Sequence, residues 1–202
     1  MTFLREFFYA LLYGFFAQNL TFELGVGTGN LFKLSNEKGP RRRWFFLVML
    51  AVSLTATPLT FLLDEYLLSR LTTDEFLRTC FCGFSFTVVI ALLALLAELL
   101  FTRLAPNVRK SLGSYLPSAC MNSAVLAILF LNRQAENDLL QAELFALMAV
   151  LGFILSVLLV QLLRERVVLV RCPPTMKGEP LALLATAILS LAFAGLTGLT
   201  LG

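Results

Sequence analysis

Leu116 to Asn132 reads LPSACMNSAVLAILFLN. It is apolar enough for a bilayer, but it opens on Pro117, carries Cys120, Asn122 and Ser123 in its first turns, and is short of the roughly 20 apolar residues that a simple span wants. A short hydrophobic segment with a polar start has the form of a discontinuous membrane helix, and such segments in matching places of two halves point to a functional centre. Residues 15–31, FFAQNLTFELGVGTGNL, supply the match. Here an apolar helix is interrupted by Gln18 and Asn19 and followed by Glu23, Gly25, Gly27 and Gly29, so that Asn19 and Asn122 become equivalent points.

Composition agrees. Of 202 residues 58% are hydrophobic, 19 are Phe and only 14% are charged, with a mean hydropathy of +0.84, more than a soluble core accounts for. Histidine is absent, which removes the commonest metal ligand and the usual neutral-pH proton shuttle. Cys80, Cys82, Cys120 and Cys172 form no paired framework and read as free thiols. Met1 to Leu24 lacks a small-residue cleavage site and reads as a retained first helix.

Hydropathy gives six membrane segments, at about 4–24, 44–63, 77–101, 116–131, 139–162 and 180–201. Lys33, Lys38 and Arg41 to Arg43 lie between the first two. Arg103, Arg109 and Lys110 follow the third, and Arg164, Arg166, Arg171 and Lys177 follow the fifth. Twelve of the 16 basic residues therefore fall on one side, and short loops rich in Lys and Arg stay cytoplasmic, which puts both termini outside. Arg41 to Arg43, next to Trp44 at a helix mouth, read as a topology signal and lipid headgroup contact, not as a nucleic-acid patch.

The expected fold is an all-α membrane protein, a single domain over 1–202. Its six transmembrane helices form two inverted three-helix repeats, about 1–105 and 106–202, with broken first and fourth helices. Ser190, Ala194, Gly198 and Gly202, four apart on the last segment, form a small-residue packing stripe. Gln18, Asn19 and Asn122 should face the interior, either to satisfy backbone groups freed by the breaks or to line an ion path. Glu23 and Glu98 are intramembrane carboxylates and so candidates for that path, although each lies near a helix end where it can reach water or a neighbour such as Arg103. Gly25, Gly27 and Gly29 follow no strand and are a helix break, not a nucleotide loop.

The chain resembles the RnfA/NqrE-like integral membrane subunits, which belong to the Rnf electron transport complex and to the sodium-translocating NADH:quinone reductase. The resemblance rests on Met176-Lys177-Gly178 and the helix LALLATAILSLAFAGLTGL after it, and on Ser111 to Pro117 running into Asn122-Ser123-Ala124-Val125-Leu126. Arg164-Glu165-Arg166, Gln18-Asn19 and Glu98 to Pro106 add to it. It implies a multi-pass, non-catalytic subunit of an oxidoreductase and ion translocase in the bacterial inner membrane. The partners it implies are the bilayer, a homologous sister subunit of opposite orientation and further complex subunits, with no nucleic acid. It also implies a 2Fe-2S cluster between the sisters, held in part by two cysteines on this side. Those positions read here as Gly29 and Ser123, neither of which supplies a thiolate. Cys120, three residues before Ser123, is the candidate substitute on the same helical face, against its reading as a buried structural thiol. The competing expectation is a small inverted-repeat transporter or scaffold with no redox role.

Overall fold

The computed structural model describes residues 19–37, 39–68, 70, 74–104, 106–113, 115–167, 173 and 178–197. Among these residues there are helices and turns but no strand. The helices are α1 (Thr28–Asn36), α2 (Pro40–Leu62), α3 (Glu75–Leu104), α4 (Pro106–Leu112), α5 (Tyr115–Cys120), α6 (Ser123–Gln134), α7 (Leu139–Val167) and α8 (Glu179–Thr197). A π-helical turn, Leu63–Leu68, continues α2.

Among the described residues, four stretches are long and apolar enough to cross a membrane: Pro40–Leu68, Phe76–Leu104, Tyr115–Gln134 and Leu139–Val167. They coincide with the second to fifth expected segments. The sixth is α8, apolar over a shorter run, Glu179–Gly195. Most of the expected first segment, 4–24, lies outside the described residues, as do Gln18, Cys172, Gly198 and Gly202.

The apolar residues divide between a core and a lipid-facing coat. Phe45, Met49, Val125, Ile128, Val150, Phe153 and Val157 are fully buried, while Leu92, Leu95, Leu96, Leu99 and Leu100 of α3 are more than half exposed. Water makes such a leucine surface unfavourable, and hydrocarbon does not. At the centre α2 packs along α7. With no hydrophobic drive between helices in lipid, close approach and hydrogen bonds must hold them together. Ala146, Ala149, Gly152 and Ser156 give α7 the small, buried face that permits it. Contacts are exchanged between the expected halves, since α1 packs on α7 while α5 and α6 pack on α2.

The two ends of the bundle differ in charge. At one end Asp64 of the π-turn takes Arg78 at 3.0 Å and Arg133 at 3.3 Å, joining α2, α3 and α6. At the other Arg109 pairs with Glu98 at 2.6 Å and Arg164 Nη1 donates to Asn36 Oδ1 at 2.5 Å. There too Lys33 sits 4.3 Å from the centre of the Tyr115 ring, and Arg42 donates to Gln161.

Candidate functional site at the two helix breaks

Both breaks are organised by asparagine. Met121 and Asn122 separate α5 from α6, and Asn122, with extended backbone at φ −75° and ψ 132°, caps α6 by accepting the Ala124 amide at 3.1 Å. An N-cap side chain satisfies one of the amides a helix start leaves without a partner. Asn19 does the same for the turns that precede α1. Its Oδ1 accepts the amides of Thr21 and Phe22, each at 3.2 Å. The pairs 19→21 and 122→124 are separated by the same 103 positions, so one local motif occurs twice.

The same offset governs the long-range partners. Asn19 Nδ2 donates to the Gly152 carbonyl at 3.1 Å, and the Ser156 hydroxyl lies 2.8 Å from Asn19 Oδ1. Asn122 Nδ2 points to Met49 Sδ at 3.5 Å. Gly152 and Ser156 lie 103 positions after Met49 and Ser53. Each break is thus tied to a long helix of the other expected half, Asn19 to α7 and Asn122 to α2. The copies have diverged chemically: Ser156 is engaged, whereas the Ser53 hydroxyl is fully buried with no hydrogen-bond partner among the described residues. Asn19 and Asn122 are 1% and 2% exposed, as expected of amides in an apolar medium.

The breaks meet each other at Gly27, whose amide donates to Ser123 Oγ at 3.0 Å. A Cβ on Gly27 would lie 2.8 Å from Phe153 Cε2 and 3.4 Å from both Ala124 Cβ and Asn122 Oδ1, and its φ is +77°. Glycine is required there twice over, by space and by handedness. Gly29, the position singled out by the resemblance, is exposed in the first turn of α1 with open space around it, so the residue facing Ser123 is Gly27.

One expectation about neighbours is corrected, and two carboxylates find their places. Cys120 does not share a helical face with Ser123: α5 ends at Cys120, the chain turns through Met121 and Asn122, and α6 starts at Ser123. Cys120 is fully buried whereas Ser123 is exposed. Glu98 pairs with a basic neighbour, as expected of its place near a helix end, and that neighbour is Arg109, which α4 brings back over the end of α3. Glu23 is exposed in the turn after Asn19, where its carboxylate can reach water.

These side chains do not fit an iron–sulfur centre held by this chain. Such a centre wants thiolates, and at the meeting point stand Gly27 and a serine oxygen already engaged by the Gly27 amide. Phe153 fills the space that a side chain at 27 would take.

Partners that the sequence left unmarked are Gly152, Ser156 and Met49, and Ser190, read there for packing alone, also makes a hydrogen bond. The Ser190 hydroxyl donates to the Phe22 carbonyl freed by the first break, and Phe193, one turn on, stacks its ring 4.8 Å from that of Phe22. A serine four residues after a small residue in an apolar run is the one signal available, and it marks packing as often as bonding.

A family described as "Rnf-Nqr subunit, membrane protein" matches residues 7–200. Among curated proteins the chain is similar to the A-type subunit of the ion-translocating oxidoreductase complex of Shewanella amazonensis, at 34% identity over 71% of this chain and 72% of the relative. It is also similar to the proteins of the same name from Actinobacillus pleuropneumoniae, at 36% over 75% and 74%, and Glaesserella parasuis, at 38% over 75% and 74%.

Proposed function

The chain belongs to the Rnf-Nqr family of membrane subunits, and from that premise we propose that it forms one half of the membrane core of an Rnf-like, redox-driven cation-translocating complex. The other half is a homologous sister subunit of opposite orientation. One observation carries the proposal: the rim of the broken helices is exposed. Thr28, Gly29 and Ser123 are open to the surface and Met121 is 57% exposed, beside backbone that leaves the helix within a membrane span. Irregular backbone at bilayer depth is tolerated where protein or a water-filled cavity covers it. A partner carrying its own broken helices meets that requirement.

Several finer readings go with this one. The repeat halves run over about 1–105 and 106–202, supported by the recurrence of the asparagine motif at a spacing of 103. The basic end of the bundle, with Arg42, Arg109 and Arg164, faces the cytoplasm of a bacterial inner membrane, and both termini face out. This chain gives no ligand to a membrane cluster, so electron transfer belongs to other subunits and its own part is structural support and cation passage.

The test is affinity purification of the tagged chain from its native membranes, with iron, acid-labile sulfide and EPR measured on the reduced complex. We expect a homologous multi-pass partner in the preparation and iron unchanged by Cys120→Ala. Isolation of the chain without any redox subunit sinks the complex, and a cluster signal that disappears with Cys120→Ala sinks the claim that this chain gives no ligand.

A further inference from the structure

At the acidic end of the bundle a cavity of about 990 Å³ opens between α2, α3, α6 and the start of α7. Its wall carries four carboxylates, Asp64, Glu65, Glu136 and Asp138, against two guanidiniums, Arg78 and Arg133. Both arginines are directed onto Asp64: Arg78 Nε lies at 3.1 Å from Oδ1 and Arg133 Nε at 3.3 Å from Oδ2. The Cys82 thiol adds a third donor to that carboxylate, at 3.3 Å. With Glu65 left out of the count, Asp64, Glu136 and Asp138 still outnumber the two guanidiniums, so the wall is negative on balance, and a concave negative wall gathers counter-ions.

The floor of the cavity is a face of α2. Thr60 and Thr57 line it, both nearly fully buried, and Ser53 lies one turn further in on the same face. Ser53, Thr57, Thr60 and Asp64 are spaced four, three and four apart, the repeat that places side chains along one side of a helix. The hydroxyls are oriented. Thr57 Oγ1 donates to the Ser53 carbonyl at 2.9 Å and Thr60 Oγ1 to the Ala56 carbonyl at 2.8 Å. Their protons are occupied, so each offers only oxygen lone pairs to the cavity. Ser53, one turn from the Met49 that receives Asn122, ends the row as a fully buried hydroxyl with no partner among the described residues. At 1.5 Å per residue the row from Asp64 to Ser53 runs about 16 Å, half the hydrocarbon thickness. At its mouth α2 passes into a π-turn, a departure from the α-helix that recurs at functional sites.

We propose that this cavity and the hydroxyl face beneath it form a half-channel for a monovalent cation, open at the acidic end and ending at Ser53 beside the Asn122 break. The inference rests on the complex proposed above and assigns to this chain the outer part of the cation path. Acceptor-only oxygens beneath a negative mouth suit a small cation shedding its water and suit neither an anion nor a solute that can only accept hydrogen bonds.

The experiment uses the intact complex in native membranes, with Cys80→Ser removing the exposed thiol. Thr60→Cys and Thr57→Cys are treated from the acidic side with a membrane-impermeant cationic thiosulfonate and with its anionic counterpart, and Leu59→Cys, on the exposed apolar face, is the control. Both threonine sites should react, the cationic reagent faster by about tenfold, and the control should stay unlabelled. Failure of both threonine sites to react, or a preference for the anionic reagent, overturns the half-channel. Redox-driven uptake in inverted vesicles gives the second reading. Ser53→Ala removes one buried atom, and it should raise the cation concentration for half-maximal uptake about fivefold, the equivalent of one lost hydrogen bond, with the rate of electron transfer kept. No change in that concentration also overturns the proposal. A wild-type complex that passes electrons without moving any cation sinks the underlying reading, and the half-channel with it, whatever the labelling pattern.

Discussion

The asparagines at 19 and 122 hold equivalent places but different burdens. Asn19 satisfies two amides, takes a serine hydroxyl and gives its own amide to Gly152, whereas Asn122 satisfies one amide and reaches a thioether, a weak acceptor. Removing Asn19 strands several buried groups, at about 1–3 kcal/mol, and removing Asn122 costs about 1 kcal/mol as a lost cap. Asn19→Ala should therefore lower the melting temperature of the purified protein more than Asn122→Ala, with thiol exposure of the buried Cys120 reporting unfolding. Equal losses would mean that the long-range bonds to α7 contribute little. The two glycines separate in the same way. Gly27→Ala forces a left-handed alanine, at about 1–2 kcal/mol, and drives a methyl into Phe153; Gly29→Ala, in a helix with open space, should be neutral or stabilise by up to about 1 kcal/mol. Phe153→Leu combined with Gly27→Ala should return the steric part of the loss and not the dihedral part. A Gly27→Ala protein as stable as the parent contradicts the close contact.

At the scale of elements, the spans were legible because their signal is composition: long apolar runs bounded by charge. The breaks were legible because Asn, Gly and Pro inside such runs have few other uses. What the sequence did not carry was direction. Counting three residues back from Ser123 put Cys120 on the same face, but that count assumes an unbroken helix. The break that Asn122 caps rotates Cys120 into the core and Ser123 out of it. Likewise nothing in Asp64, Arg78 or Arg133 alone says that they converge. The π-turn, the start of α3 and the end of α6 bring them together, with side chains 17%, 33% and 20% exposed. Asp64 is the common member, and Asp64→Ala leaves two guanidiniums facing each other in a partly dry site. It should cost about 2 kcal/mol, less than a fully buried pair because water still reaches the arginines. Arg78→Ala, which leaves Asp64 with Arg133, should cost under about 1 kcal/mol. Thermal unfolding of the two variants side by side decides this, and a larger loss in Arg78→Ala would show that Asp64 is not the hub.

Among the described residues, the surface at membrane depth is of two kinds, and one of them calls for a protein partner. The leucines of α3 form a uniform aliphatic coat, content in lipid. The rim at Met121, Ser123, Thr28 and Gly29 mixes an apolar side chain with a hydroxyl and the backbone of two broken helices, and hydrocarbon solvates that combination poorly. Sequence alone located the breaks but not the side on which they open, since exposure is a property of the packed bundle. If a sister subunit covers the rim, bulk added there should break the contact while leaving the fold intact, because these side chains point away from the core. Met121→Trp and Thr28→Phe should each lower recovery of the membrane partner with the tagged chain by about tenfold, equivalent to about 1.4 kcal/mol of lost association. Leu96→Phe, an equal addition on the α3 coat, should leave recovery unchanged. In all three the chain should stay in the membrane with Cys120 protected from thiol reagents, which separates a lost contact from a lost fold. Unchanged recovery with Met121→Trp and Thr28→Phe, alongside a protected Cys120, would place the partner on another face and leave the rim to open onto water.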